Sequence, residues 1–107
     1  MASNVNPIIS DYQTRCTRLL NFADPSSAEY LAYSSILQAL DQDQTAPPDR
    51  RVISIATALS EYSRVTSALD MGPPEAHAAA KKAREIIRKW ALDFIHDTDQ
   101  PAQWYGL

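Results

Sequence analysis

Apolar side chains recur every three to four residues along four stretches of this chain, and prolines stand at the edges of those stretches. In the first stretch Ile8, Ile9, Tyr12, Cys16, Leu19, Leu20 and Ala23 share one face of a helical wheel, with Asp11, Arg15 and Arg18 opposite. That spacing is the 3.6-residue period of an amphipathic helix. Pro7, Pro25, Pro47, Pro48, Pro73, Pro74 and Pro101 punctuate the pattern. Proline costs about 3 kcal/mol inside a helix but is tolerated in its first turn. The pattern predicts helices over residues 7–22, 25–42, 49–69 and 74–96. Short loops between such helices imply antiparallel neighbours. The expected fold is therefore all-α, a four-helix antiparallel bundle forming a single domain over residues 1–107.

The second stretch opens with two capping options, Asp24 ahead of Pro25 or a Ser26/Glu29 capping box. Tyr30, Tyr33, Ile36, Leu37 and Leu40 form its main apolar face, and Ala28, Ala32, Ser35 and Ala39 line the other side with small groups. No charged residue occurs from Tyr30 to Leu40. A surface helix normally carries a charged face, so this helix is expected to be covered on more than one side. Either the chain's own helices or a second copy would do this. The second option makes Ala28, Ala32, Ser35 and Ala39 a candidate dimer face.

In the third stretch Val52, Ile55, Ala56, Leu59, Tyr62, Ser63, Thr66 and Leu69 share a face. Its many β-branched residues make it the weakest helix former of the four. Gly72 suits a left-handed C-cap before Pro73 and Pro74. The fourth stretch buries Ala76, Ala79, Ala80, Ala83, Ile86, Ile87, Trp90, Ala91 and Phe94 on one broad face. The last residues have no repeat but keep Trp104, Tyr105 and Leu107. They are expected to fold back on the bundle, the alternative being a short ligand for another protein.

Charge adds one asymmetry. The chain carries a net charge of −3 and only two glycines, which disfavours both bulk polyanion binding and tight β-hairpins. Yet Lys81, Lys82, Arg84, Arg88 and Lys89 crowd into residues 81–89 against one acid, Glu85. On the wheel Lys81, Arg84 and Arg88 cluster with Leu92 and Ile95. Apolar anchors beside arginine suit a protein interface. These five residues are the candidate partner-binding surface. The expected function is a small protein-interaction or regulatory module whose partner is another protein or a second copy. Nucleic-acid or polyanion binding through the same cations is the alternative.

Chemistry is sparse. Cys16 lies in an apolar stripe and reads as a small buried hydrophobe, with no local base to activate it. A single cysteine excludes a disulfide within the chain. His77 and His96 would lie about 28 Å apart along one helix, too far to share a metal. Asp41-Gln42-Asp43 and His96-Asp97-Thr98-Asp99 read as solvated helix-end groups. Tyr12, Tyr30, Tyr33 and Tyr62 lie on apolar faces, either satisfying their hydroxyls locally or lining a small pocket between helices. No catalytic residue, metal ligand or cofactor site is assigned, and more weight falls on a non-enzyme. The absence of an 18-residue apolar run and of a basic, apolar start argues against a membrane and for the cytosol, with the nucleus as the alternative.

Overall fold

Pro48 and Pro74 each open a helix and Pro7 lies in the first turn of another, because that turn needs no N–H from these positions. The computed structural model describes the backbone of residues 5–68 and 74–106 and the side chains of 6–64 and 78–106. The expectations placed on Thr66, Leu69, Gly72, Ala76, His77 and Leu107 lie outside those described parts. Among the described residues four α-helices run in order: α1 (Val5–Phe22), α2 (Ala28–Leu40), α3 (Pro48–Ala68) and α4 (Pro74–Asp97). A short 3-10 helix, Ala102–Tyr105, follows. No strand occurs among the described residues.

One apolar core draws on every element. Ile9, Tyr12 and Cys16 come from α1, Ile36 and Leu40 from α2, and Val52, Ile55 and Leu59 from α3; Ile87, Phe94 and Ile95 come from α4. Each large side chain removed from water contributes about 1.5–3 kcal/mol. The fourth helix packs against both α2 and α3, α1 lies chiefly against α2, and the 3-10 helix touches α3 and α4. Both α2 and α4 bury alanines, Ala28, Ala32 and Ala39 on one and Ala80, Ala83 and Ala91 on the other. Little side chain then separates two helices that pack on each other.

The start of α2 differs from expectation. Asp24 does not cap the helix; its carboxylate accepts the Ser26 N–H at 2.9 Å and the Ser26 hydroxyl at 2.8 Å, closing a turn around Pro25. Those two bonds hold the Asp24 carboxyl below its usual pKa. Ser27 is the N-cap, its Oγ accepting the Tyr30 N–H at 3.2 Å. Replacing Ser27 with alanine leaves that N–H without its partner and is expected to cost about 1 kcal/mol. A thermal melt lowered by roughly 4–8 °C is the expected reading, and an unchanged melt would remove the cap from the account.

The far end of α2 is tied to two neighbours. The Leu40 carbonyl accepts Gln13 Nε2 from α1 at 3.4 Å and Arg51 Nη2 from α3 at 3.3 Å. The end of α4 is a Schellman-type turn, in which Gln100 N–H reaches Ile95 O at 2.9 Å and Asp99 N–H reaches His96 O at 3.1 Å. Asp99 takes the left-handed position at φ 57° that glycine usually fills.

Two readings of the stripes are corrected. Leu19 is 41% exposed. Ile9, Tyr12 and Cys16 fix the buried line of α1, which continues through half-buried Leu20 and Ala23 and leaves Leu19 a full residue step off it. In α2 both sides reach the core: Ile36 and Leu40 of the expected apolar face are buried together with Ala28, Ala32 and Ala39 of the small side, whereas Tyr30 is 37% exposed.

Candidate interaction surfaces

The outer face of α4 keeps most of its expected membership. Lys81 and Arg88 are exposed, and Arg84 and Leu92 are half-buried. Ile95 is corrected: at 1% exposure it belongs to the core cluster with Phe94 and Tyr105 and cannot anchor a partner. The wheel misplaced it because α4 is packed by α2, α3 and the 3-10 helix together, so its buried arc is wider than one neighbour would make it. A groove of about 260 Å³ runs here between Glu85, Arg88, Lys89, Leu92 and Asp93. Two acids thus share this groove with two cations. Lys82 is also engaged, its Nζ 2.5 Å from Glu29 Oε1 on α2. That mutual hydrogen bond lowers the Glu29 pKa and raises that of Lys82.

The proposed dimer face of α2 is not available to a second copy. Ala28, Ala32 and Ala39 are buried at 8%, 0% and 0% within the single chain. Ser35 is half-buried and donates its hydroxyl to Leu31 O at 2.9 Å. Self-packing covers the alanine side of this helix, while Tyr30 and Leu31 of the uncharged span are 37% and 38% exposed.

A different apolar surface does face solvent. Ile53 and Trp104 are 45% and 68% exposed and share a groove of about 270 Å³ with Thr57, Ser60, Arg64 and Tyr105. The tail that forms one wall is fixed in place. Buried Ser60 donates its hydroxyl to Tyr105 O at 2.7 Å, and the Tyr105 hydroxyl donates to Gln100 Oε1 at 3.1 Å. Gly106 closes the 3-10 helix at φ 69°, a left-handed backbone that glycine adopts freely. Tyr105 is thereby driven into the core while its neighbour Trp104 is held outward. The sequence signal for this groove was Ile53, which is out of phase with Val52, Ile55, Ala56 and Leu59.

A third hollow of about 280 Å³ lies among Tyr12, Arg15, Tyr33, Ile86, Lys89, Trp90 and Asp93. The tyrosine pocket considered from sequence thus forms around Tyr12 and Tyr33, without Tyr30 or Tyr62. The Tyr12 hydroxyl donates to Asp97 at 2.5 Å, and burial followed by that carboxylate raises its pKa well above the usual phenol value. Asp97 is therefore occupied as an acceptor at the end of α4. Among the described residues no three His, Cys, Asp or Glu side chains come together to hold a metal. Cys16 is fully buried, donates its thiol to Tyr33 O at 3.2 Å, and is pushed up to about 12 by desolvation. No helix among the described residues is long and apolar enough to cross a membrane. Comparison of the chain with protein-family models, with curated proteins and with solved structures finds no match.

Proposed function

We propose that this chain is a protein-interaction module, an antiparallel helical bundle that binds another protein through the groove between α3 and the C-terminal 3-10 helix. One observation carries the reading: Trp104 is 68% exposed although the residue beside it, Tyr105, is anchored in the core. An indole carried on an anchored backbone has only its own side-chain torsions left to order on binding. Tryptophan and arginine are also the side chains that dominate interface energetics. Ile53 extends the apolar patch, and Arg64, which donates to Ser60 Oγ at 3.2 Å, also lines the groove. The outer face of α4, with Lys81, Arg84, Arg88 and Leu92, is a second contact surface in this reading.

The test is affinity capture of a stoichiometric partner from an extract of the protein's own cells, followed by titration of that partner with the Trp104→Ala variant. Truncating an interface tryptophan at a hot spot typically costs 2 kcal/mol or more, so affinity is expected to fall by about 30-fold or more. The melting temperature should stay close to wild type, because the removed ring is mostly in water. A partner that binds Trp104→Ala and Ile53→Ser as tightly as wild type would sink the proposal. Light scattering at tens of micromolar separates a second copy from a different protein as the occupant.

A further inference from the structure

We propose that the hollow between α1, α2 and α4 is an aromatic cage for a methylated ammonium group, closed in this structure by the chain's own Arg15. Three rings form its walls and none is coplanar with the next. Tyr12 and Trp90 stand 5.7 Å apart at 84°, and Tyr33 and Trp90 stand 6.1 Å apart at 65°. The corner between two of them already holds a cation. Arg15 Cζ lies 4.6 Å from the Tyr12 ring centroid and 5.5 Å from that of Trp90.

Cation–π attraction explains that placement, since ring faces carry negative charge. The surroundings reinforce it. Asp93 lines the hollow, Asp97 holds the Tyr12 hydroxyl, and Asp11 pairs with Arg15 at 3.1 Å. Against these three acids stand Arg15 itself and Lys89. With Arg15 turned away, Asp93 and Lys89 still line the hollow and Asp97 stays bonded to the Tyr12 hydroxyl. Its charge then suits a positive guest.

Arg15 has room to turn away. Its side chain is 51% exposed, and its ion-pair partner Asp11 is on the same helix and 65% exposed, so neither clamps it to the rings. A methylated ammonium is a better guest than a bare one for this hollow. A bare ammonium demands hydrogen-bond acceptors in place of its water, whereas methyl groups pack on ring faces and shed weakly held water. The hollow measures about 280 Å³ with Arg15 still lining it and opens to solvent, which leaves room for a trimethylated head with its chain leading out.

The experiment titrates the whole chain with tetramethylammonium chloride, using sodium chloride at equal concentration as the control. The readout is the indole N–H signals in a nitrogen–proton spectrum. Trp90 lies in the hollow and Trp104 in a separate groove, so the Trp90 signal should move and saturate while that of Trp104 stays. Arg15→Ala removes the internal competitor and is expected to tighten binding by about three- to tenfold. Tyr33→Leu keeps apolar bulk but removes a wall and is expected to weaken binding by about tenfold. Choline should bind well ahead of 3,3-dimethylbutan-1-ol, its uncharged isostere. An unmoved Trp90 signal, equal binding of choline and the neutral isostere, or an Arg15→Ala variant that binds no tighter would each overturn the cage. Trimethyllysine amide and phosphocholine then compete directly. Preference for the first assigns the head group to a modified protein, and preference for the second assigns it to a lipid; either supports the site. The hollow shares no residue with the Trp104 groove, so this inference and the proposed function can fail independently.

Discussion

Replacing Phe94 with alanine is expected to destabilise the folded chain by about 3–5 kcal/mol, the range for emptying a buried aromatic site. Phe94 is fully buried on α4 and meets Tyr12 of α1 edge-on, with ring centroids 5.4 Å apart at 83°. Two losses combine. The benzyl group leaves a cavity that alanine does not fill, and Tyr12 loses a perpendicular ring contact worth about 0.5–1.5 kcal/mol. For a domain whose total stability is about 5–15 kcal/mol, that removes about a fifth or more. The melting temperature should fall by on the order of 20 °C. Urea denaturation of the two proteins checks this, and a loss below about 1 kcal/mol would show that Phe94 does not sit where α1 and α4 meet.

Alkali is expected to unfold the protein earlier than its acidic composition suggests. The Cys16 thiol is held protonated by burial, with its pKa pushed up to about 12 from an ordinary 9.0. The buried Tyr12 phenol is raised from 10.0 in the same direction. For both groups the neutral form is the one the core accepts. Below pH 9 folded and unfolded chains bind these protons equally, and the stability they allow is fully present. Above pH 9 the unfolded chain sheds the thiol proton first, so stability falls steadily as pH rises towards 12. Urea midpoints that decline through this window, and decline less in Cys16→Ala, are the expected result. A flat midpoint, or a folded-state thiol that ionises near 9 by its ultraviolet absorbance, would refute it. Alkylation of the native thiol near pH 8 should also be slower than in denaturant by roughly a thousandfold, as thiolate is the reactive form.

Helices were the legible part of this chain. Prolines break a helix from within and open it at its start, so Pro48 and Pro74 marked element starts closely. Apolar residues at helical spacing identified most of the core, including Cys16, Leu59 and Ile87. The entry into α2 was harder to place, because Asp24, Ser26 and Ser27 are all capable caps. Only the turn around Pro25 decides that Ser27 takes the role.

The surfaces were less legible, and for a different reason. A wheel ranks side chains by angle about one axis, but exposure depends on how many neighbours surround that axis. Ile95 lies outside the arc one partner would cover, and α4 has three packed elements around it. For Ala28, Ala32 and Ala39 the sequence left two covers open, the chain's own helices or a second copy, because no sequence rule says which side of an uncharged helix its own chain will use. Trp104 was placed correctly on a returning tail, yet its outward direction follows from the Ser60–Tyr105 bond between residues far apart in sequence. The ring cluster of Tyr12, Tyr33 and Trp90 likewise joins three helices, and no local pattern announces it.

The uncharged run of α2 has a consequence beyond packing. Between Glu29 and Asp41 the chain has no ionised group to discourage self-adhesion. While the helices stay closed, its apolar side is shielded by α1, α3 and α4. Once they part, during synthesis or heating, this segment becomes sticky, with one acid at each end as its gatekeeper. How often the helices part therefore bears on self-adhesion alongside the charge of the surface.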